Sequence, residues 1–280
     1  MKFGLFGINT GPCADPETML AVASSAESAG FDSLWTAEHV VLPDPQVPPS
    51  PAPPLTPMVH PFTALAYIAA ATENILLGTG ITLIAQRNPV VLAKESASVD
   101  HISRGRLLFG IGAGYLIQEF EALGVNFAER GARTDEYIDA IRELWTSKSP
   151  HFSGQFVNYS GIQSRPLAYQ TGGPPILVGG TSNAAYKRAL LKGQGWYGFA
   201  MDVKTSKASI GRLASLRADV NRDPILGELE VSITPRDPLT EENLKAYEDM
   251  GVNRLILLQA GQNTDDLIAY IDLIAKTYIQ

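Results

Sequence analysis

The sequence predicts an α/β protein folded as a (β/α)8 barrel. Three observations favour this fold: short apolar runs alternate with helical patterns along the chain, eight such runs can close a parallel sheet without free edges, and 280 residues suit one barrel domain over residues 1–280. An open doubly wound sheet is the alternative. The eight predicted strands are Phe3–Ile8, Ser33–Ala37, Leu76–Thr82, Leu107–Gly112, Ile176–Gly179, Trp196–Ala200, Leu229–Ile233 and Leu255–Gln259.

The first and last helical patterns predict helices that cover a sheet. Asp15 is placed to cap a helix whose apolar residues recur with the helical period, and Gly30 is placed to end it. The run Leu255–Leu258 is apolar at every position, as in a parallel strand buried on both faces. The segment after it carries the apolar stripe Leu267, Ile271, Ile274 and Tyr278. Such a stripe is typical of a helix packed on a sheet.

Two segments interrupt the alternation of strands and helices. The range Leu42–Pro61 contains nine prolines, so it predicts an extended loop after the second strand. The range Ser147–Gly173 is also irregular, and its aromatic residues around Ser153 and Gly154 predict a small hairpin inserted before the fifth strand. We expect both segments near the mouth of the barrel, where long loops usually form walls or lids.

Composition and charge exclude several classes of protein. With 45% hydrophobic and 18% charged residues, the chain can bury a large core, which excludes disordered and fibrous proteins. The net charge is −7 and no run of Lys and Arg occurs, so we expect no nucleic-acid partner. No apolar run reaches the ~18 residues of a membrane helix. The only cysteine, Cys13, leaves no internal disulfide, and we expect a cytoplasmic protein without a membrane partner.

Polar residues at the ends of the predicted strands are candidates for chemistry, because barrel enzymes place their active sites there. Glu38 and His39 directly follow the second strand, where a carboxylate and an imidazole could act as general acid and base. The alternative is that both are ordinary loop residues with satisfied hydrogen bonds. The four histidines share no metal-ligand spacing, so we expect no metal site.

Two glycine clusters are candidate binding segments. The run Gly110–Gly114 resembles a dinucleotide fingerprint, but the third glycine of that motif would fall on Tyr115, which argues against a Rossmann site. Gly179, Gly180 and Thr181 end the fifth strand, where the amides of the following helix could bind an anion. The alternative for both clusters is simple turn chemistry.

Several sequence runs, taken in order over about residues 1–200, carry a resemblance to a known family. They are Glu27–Trp35 with Glu38 and His39, Leu77–Ile81 with Arg87–Pro89, Asp100–Arg106, Gly110–Tyr115, Glu129–Gly131 with Glu136, and Leu177–Gly180 with Gly195 and Trp196. These runs resemble the bacterial luciferase-like monooxygenase superfamily. The proline-rich segment and Arg130–Tyr137 are most similar to its shorter oxidoreductases that use the deazaflavin coenzyme F420. The resemblance implies a TIM barrel, in agreement with the periodicity.

The resemblance also implies an activity and roles for particular residues. The activity is hydride transfer between F420 and a small organic substrate, with His39 exchanging a proton and Glu38 contacting the polar edge of the ring. A bulge with a non-prolyl cis peptide at Gly80–Ile81 would mark the cofactor site. The other implied cofactor contacts are Gly112, Ala113 and Gly114 alongside the cofactor, Tyr115 as a hydrogen-bond partner, and Gly179, Gly180 and Thr181 at its phosphate.

The match to the superfamily has departures, and two other functions stay open. The sugar-phosphate dehydrogenases of the superfamily have an acidic residue where Tyr115 stands, which argues against that substrate, and Gln194 replaces an aspartate. One alternative is a monooxygenase that uses FMN, oxygen and a partner flavin reductase. The other is a flavin-binding barrel without catalysis, since a fold does not fix a function. Luciferase-like barrels commonly dimerise, so we expect a homodimer.

Overall fold

The computed structural model describes residues 1–280 as one barrel of parallel strands surrounded by helices. The strands are β1 (Lys2–Phe6), β2 (Ser33–Thr36), β3 (Leu76–Thr79), β4 (Thr82–Leu83), β5 (Leu107–Gly112), β6 (Phe152–Ser153), β7 (Asn158–Tyr159), β8 (Ile176–Gly179), β9 (Gly195–Met201), β10 (Glu230–Pro235) and β11 (Arg254–Leu258). The helices are α1 (Pro16–Ser28), α2 (Pro61–Ala69), α3 (Pro89–Ile102), α4 (Ile117–Ala122), α5 (Arg130–Thr146), α6 (Asn183–Lys192), α7 (Val203–Arg217), α8 (Glu241–Asp249) and α9 (Thr264–Ile274). No helix has both the length and the apolar character needed to cross a membrane.

The parallel strands form a closed barrel, as two strand pairings show. β1 pairs in parallel with β2 on one side and with β11 on the other, so the first and last strands are neighbours. The circle is completed where β3 pairs with β5, with Leu77 opposite Leu107. All eight predicted strands and the predicted (β/α)8 barrel are confirmed, and the open doubly wound sheet is excluded.

The third barrel strand, expected as one run over Leu76–Thr82, is divided into β3 and β4. Gly80 and Ile81 separate the two segments, and the peptide bond between them is cis. Both segments pair with β5, since Thr82 lies opposite Ile111 beyond the break. The bulge implied by the family resemblance is therefore present at the position expected.

The first helix forms as its sequence pattern indicates. The Asp15 carboxylate accepts a hydrogen bond from the Thr18 amide at 2.9 Å, which caps the N-terminus of α1. Gly30 follows the helix with φ at 89°, a conformation that favours glycine. Val22 and Ala26 are fully buried, because this face of α1 packs into the apolar layer between helices and strands.

Apolar side chains fill one layer between strands and helices and a smaller one inside the barrel. The inner layer consists of Trp35, Leu108, Leu177, Tyr197 and Ile256. Gly78 makes room for the indole of Trp35, because a Cβ at position 78 would lie 2.4 Å from that ring. Since the interior is packed, a ligand can bind only at the open end of the barrel.

The proline-rich segment forms the predicted loop after β2 and crosses the barrel mouth. Met58 forms an isolated antiparallel β-bridge with Thr10, and the Val59 amide donates to the Asn9 carbonyl at 2.9 Å. The last proline of the segment, Pro61, begins α2, where its missing amide hydrogen costs no helical hydrogen bond. The expectation that this loop walls the mouth is confirmed.

The predicted hairpin is present as β6 and β7, but its expected place at the mouth is wrong. The Tyr159 hydroxyl donates to the Ala140 carbonyl, so the hairpin packs along α5. The chain then passes the end of α3, where the Asp100 carboxylate accepts from the Tyr169 amide at 2.7 Å. The physical reason is connectivity: a segment between a helix and the next strand returns to the N-terminal end of the barrel, opposite the mouth.

Candidate active site

A cavity of about 330 Å³ opens at the C-terminal ends of the barrel strands, and we call it the mouth cavity. Its lining includes seven residues predicted from the sequence, namely Glu38, His39, Gly80, Ile81, Tyr115, Gly179 and Gly180. Apolar side chains from the proline-rich loop and from β9, among them Pro51, Met58 and Phe199, form part of its walls. Glu38 and His39 supply its acidic and imidazole groups.

A second cavity of about 300 Å³ adjoins the first and shares Ile81, Gly179 and Gly180 with it. We call it the basic cavity. Its lining contains the remaining predicted site residues, namely Gly112, Ala113, Gly114 and Thr181. It also contains three polar residues that were not predicted as site residues, namely Arg130, Ser182 and Arg188. The predicted site residues therefore fall into two neighbouring compartments.

Ile81 forms the boundary between the two cavities, and glycines give it space. A Cβ at Gly112 would lie 2.3 Å from the Ile81 Cδ1 atom, and a Cβ at Gly179 would lie 2.6 Å from it. Both distances are shorter than real Cβ contacts. These two glycines are therefore required by the packing of Ile81, whatever else they contact.

His39 is held between partners on three sides. Its Nδ1 lies 3.2 Å from Oε2 of Glu119, and its Nε2 lies 3.3 Å from the Tyr115 hydroxyl. Its backbone amide donates to the Met58 sulfur at 3.0 Å. The imidazole therefore has a fixed position at the wall of the mouth cavity.

Glu38, although adjacent to His39 in sequence, faces different partners. Its Oε1 atom lies 2.9 Å from Nη2 of Arg87 and accepts a hydrogen bond from the Leu83 amide at 3.1 Å. Burial raises the pKa of Glu38, and the Arg87 charge and the Leu83 hydrogen bond offset this only in part. Its Oε2 atom is buried and has no hydrogen-bond partner in the protein. Glu38 thus retains a polar atom for a ligand group.

Arg87 extends this network to a second histidine that the sequence did not nominate. Its Nη1 lies 2.8 Å from Nε2 of His60, and because a guanidinium can only donate, His60 accepts there. Burial and the Arg87 charge both lower the pKa of His60. A neutral His60 therefore helps to orient the guanidinium that faces Glu38.

Glu119 on α4 is the main functional residue that the sequence analysis missed. Its side chain is fully buried, and its Oε1 atom accepts from the Val40 amide at 2.6 Å while Oε2 accepts from Nε2 of Gln86 at 3.0 Å. Burial disfavours the ionised form, but the hydrogen bonds, led by that from His39, together with the His39 charge, hold the pKa of Glu119 below its ordinary value. The available signal was its position beside Phe120, on the apolar face of a short helix.

The basic cavity has the groups that an anion requires. Ser182 caps α6, so the first amides of that helix point out of its N-terminus. The Arg188 guanidinium is fixed by the Asp135 carboxylate, with distances of 2.8 and 3.1 Å. Arg130 stacks over the Phe127 ring at 3.8 Å, which places a second guanidinium at the cavity. This donor set fits a phosphate group.

Comparison with known proteins finds enzymes of similar sequence. The F420-dependent hydroxymycolic acid dehydrogenase of Mycobacterium tuberculosis is 30% identical over 213 residues, which cover 74% of this chain and 56% of that protein. The oxygenase component of the flavin-dependent trigonelline monooxygenase of Acinetobacter baylyi is also 30% identical, over 202 residues that cover 69% of this chain and 52% of that protein.

The fold and the family are both identified by these comparisons. An F420-dependent secondary alcohol dehydrogenase, solved with an F420–acetone adduct, superposes with a TM-score of 0.78 at 18% identity, over 98% of this chain and 97% of that one. The family model for luciferase-like monooxygenases matches residues 1–267. Because that match spans nearly the whole sequence, the chain belongs to the luciferase-like monooxygenase family.

Proposed function

We propose that the protein transfers a hydride between coenzyme F420 and a small, uncharged organic substrate. The observation that carries this proposal is the junction of an apolar cavity holding the His39 imidazole with a basic cavity suited to a phosphate. When bound, F420 accepts or donates the hydride, and the protein supplies orientation and a proton.

The residues divide this work between the two cavities. Arg130, Arg188 and the N-terminus of α6 hold the phosphate of the coenzyme, with Thr181 beside them. Glu38 offers its free Oε2 atom to the polar edge of the ring. His39 exchanges a proton with the substrate oxygen. The apolar walls exclude water and provide no cation for a carboxylate or phosphate on the substrate, which favours an uncharged alcohol or carbonyl compound.

The second candidate function is a monooxygenase that uses FMN and oxygen with a partner reductase. The trigonelline monooxygenase favours this alternative as strongly, in sequence identity, as the F420-dependent relative favours the first. FMN also carries a phosphate, so the basic cavity suits either coenzyme. The barrel without catalysis is less favoured, because the protein maintains a buried His39–Glu119 pair at its mouth.

Titration of the purified protein with F420 and with FMN, followed by cofactor fluorescence, tests the proposal. We expect tighter binding of F420, and reduction of F420 on addition of small secondary alcohols. Equal or inverted affinities would overturn the choice of coenzyme. Oxygen consumption with reduced FMN would then support the monooxygenase.

We also propose that the protein is a homodimer, as luciferase-like barrels commonly are. Exposed apolar side chains on α2 and α3, such as Tyr67 and Val91, are available for a contact between two copies. Sedimentation equilibrium at micromolar concentration should give twice the chain mass of 30.1 kDa. A mass of one chain that does not change with concentration would reject the dimer.

A further inference from the structure

We propose that Glu119 is a positioning residue that fixes His39 as the Nδ1–H tautomer and so presents an unprotonated Nε2 atom to the mouth cavity. This inference rests on the proposed function only where it concerns turnover. The tautomer itself follows from the geometry around the ring. The carboxylate paired with His39 is Glu119, whereas the adjacent Glu38 pairs with Arg87.

The carboxylate of Glu119 cannot turn away from the imidazole. One of its oxygens accepts from the Val40 amide at 2.6 Å, and the other lies 3.0 Å from the Gln86 side-chain amide and 3.2 Å from Nδ1 of His39. The side chains of Glu119 and His39 are 0% and 8% exposed, so water does not compete for these contacts. The hydrogen bonds therefore set one orientation of both groups.

The charge state of Glu119 decides which nitrogen of His39 carries the hydrogen. Burial opposes ionisation, but the hydrogen bonds from His39, Gln86 and Val40 keep the pKa of Glu119 below its ordinary value. At neutral pH the carboxylate is ionised and can only accept hydrogen bonds. The hydrogen of a neutral His39 must therefore lie on Nδ1, which leaves Nε2 as an acceptor.

The group facing Nε2 is consistent with this assignment. The Tyr115 hydroxyl lies 3.3 Å from Nε2, and burial and the Glu119 charge both raise the pKa of the phenol. A protonated phenol donates its hydrogen to a bare Nε2 atom. Because Tyr115 is 45% exposed, it can move aside for a substrate hydroxyl, which then donates in its place.

The consequence is one path for the substrate proton. When an alcohol is oxidised, its O–H bond breaks as a bond forms between that hydrogen and Nε2, and the resulting imidazolium lies against the Glu119 carboxylate. The hydride from the C–H bond would pass to oxidised F420, which would be reduced. In the opposite direction, the carbonyl carbon would receive the hydride from reduced F420, and Nε2 returns the proton to the carbonyl oxygen. The other charges nearby are Glu38 and Arg87, which form an ion pair with each other, so Glu119 is the anion in contact with the ring.

The tautomer can be measured by long-range proton–nitrogen NMR correlation on ¹⁵N-labelled protein. His39→Ala identifies the His39 signals among those of the four histidines. At a pH where the imidazole is neutral, we expect the Nδ1–H pattern in the wild type. In Glu119→Gln we expect a mixture of tautomers, because a carboxamide can donate as well as accept. The matched control is Glu121→Gln, which changes an exposed glutamate on the same helix and should leave the spectrum unchanged.

Two further results keep the test decisive. If Glu119→Gln does not fold, Tyr115→Phe removes the partner of Nε2 and should retain the Nδ1–H pattern, since Glu119 is intact. An Nε2–H pattern in the wild type or in Tyr115→Phe overturns the tautomer assignment and with it the proposal. A pure Nδ1–H pattern in folded Glu119→Gln would show that Glu119 does not set the tautomer, and it would overturn the proposal as well. These spectra need no coenzyme, so they are independent of whether F420 is the cofactor.

Turnover gives the functional readout for the positioning role. In Glu119→Gln we expect kcat to fall by about tenfold, less than the ~10²–10⁴ for loss of a general acid or base, while KM stays nearly unchanged. A loss of kcat at unchanged KM is the result that a merely structural role would not give. An unchanged kcat would contradict the positioning role.

Discussion

At the N-terminal end of the barrel strands, Arg254 is 1% exposed and forms ion pairs with both Asp32 and Glu230, whereas at the C-terminal end Glu38 is paired through one oxygen only. Arg106, also at the N-terminal end, donates to four backbone carbonyls, three of them through Nε and Nη2 and the fourth through Nη1. Charge is buried at both ends, but the buried charge at the N-terminal end has the larger number of partners within the protein.

The C-terminal end holds most of the buried polar side-chain atoms that lack a partner in the protein. They include Thr36 Oγ1, Glu38 Oε2, Thr82 Oγ1 and Gln86 Oε1. An unsatisfied buried polar atom costs about 1–3 kcal/mol, so a fold keeps such atoms where a ligand can use them. The N-terminal end of the barrel thus satisfies its buried charges within the protein, whereas the C-terminal end keeps buried polar atoms that a ligand could use.

The largest expected effect is on the reaction rate and arises at the C-terminal end of the barrel. His39→Ala should lower the rate of hydride transfer by about 10²–10⁴-fold, because the substrate oxygen loses its proton partner. The affinity for F420 and the thermal unfolding midpoint should stay near wild type. Stopped-flow absorbance of F420 measures the rate, and His101→Ala, which changes an exposed histidine on α3, is the control. Wild-type rates in His39→Ala would show that another group exchanges the proton.

The next effect should fall on stability alone. Arg254→Met leaves Asp32 without its cation and leaves Glu230 with only the exposed Lys2 at 3.8 Å, so we expect the free energy of unfolding to fall by about 3 kcal/mol. Urea denaturation measures this change. Arg217→Met, which breaks an exposed pair with Glu228, should have little effect. If Arg254→Met instead weakened coenzyme binding at unchanged stability, the division between the two ends would fail.

A smaller effect should separate affinity from chemistry within the C-terminal end. Arg130→Met removes a guanidinium from the basic cavity and should weaken F420 binding by about 10- to 100-fold, since a hydrogen bond to a charged group contributes about 1.5–3 kcal/mol. Fluorescence titration measures the Kd. Arg133→Met is the matched control, because that residue lies on the same helix and pairs with Glu129 instead. Equal affinities in both variants would place the phosphate elsewhere.

The smallest effect should be a slope in the pH dependence of stability. Burial raises the pKa of Glu38 above the ordinary carboxyl value of 4.5, so between the two values the folded chain binds more protons than the unfolded chain. The unfolding free energy of the wild type should therefore decrease, relative to Glu38→Gln, as pH rises above 4.5. Urea denaturation at a series of pH values measures the difference. A difference that increases with pH would mean that Arg87 outweighs burial.

Local sequence patterns predicted most of the elements and the position of His39 at the barrel mouth. Asp15 and Gly30 bound α1 as expected, and His39 lies at the mouth because it follows a barrel strand. The partner of His39 was not predictable in the same way. Glu119 lies 80 residues away in the chain, and no local pattern indicates which buried carboxylate will meet an imidazole.

The barrel could be predicted from the amino-acid sequence, because hydrophobic periodicity and capping residues act within a few residues and indicate strands and helices directly. The position of Glu38 and His39 after β2 could be predicted in the same way. The folded protein was needed to see that Glu38 pairs with Arg87 while His39 pairs with Glu119, and that the hairpin lies away from the mouth. The physical reason is that these contacts join distant segments, whose approach is set by barrel closure and packing rather than by local backbone preference.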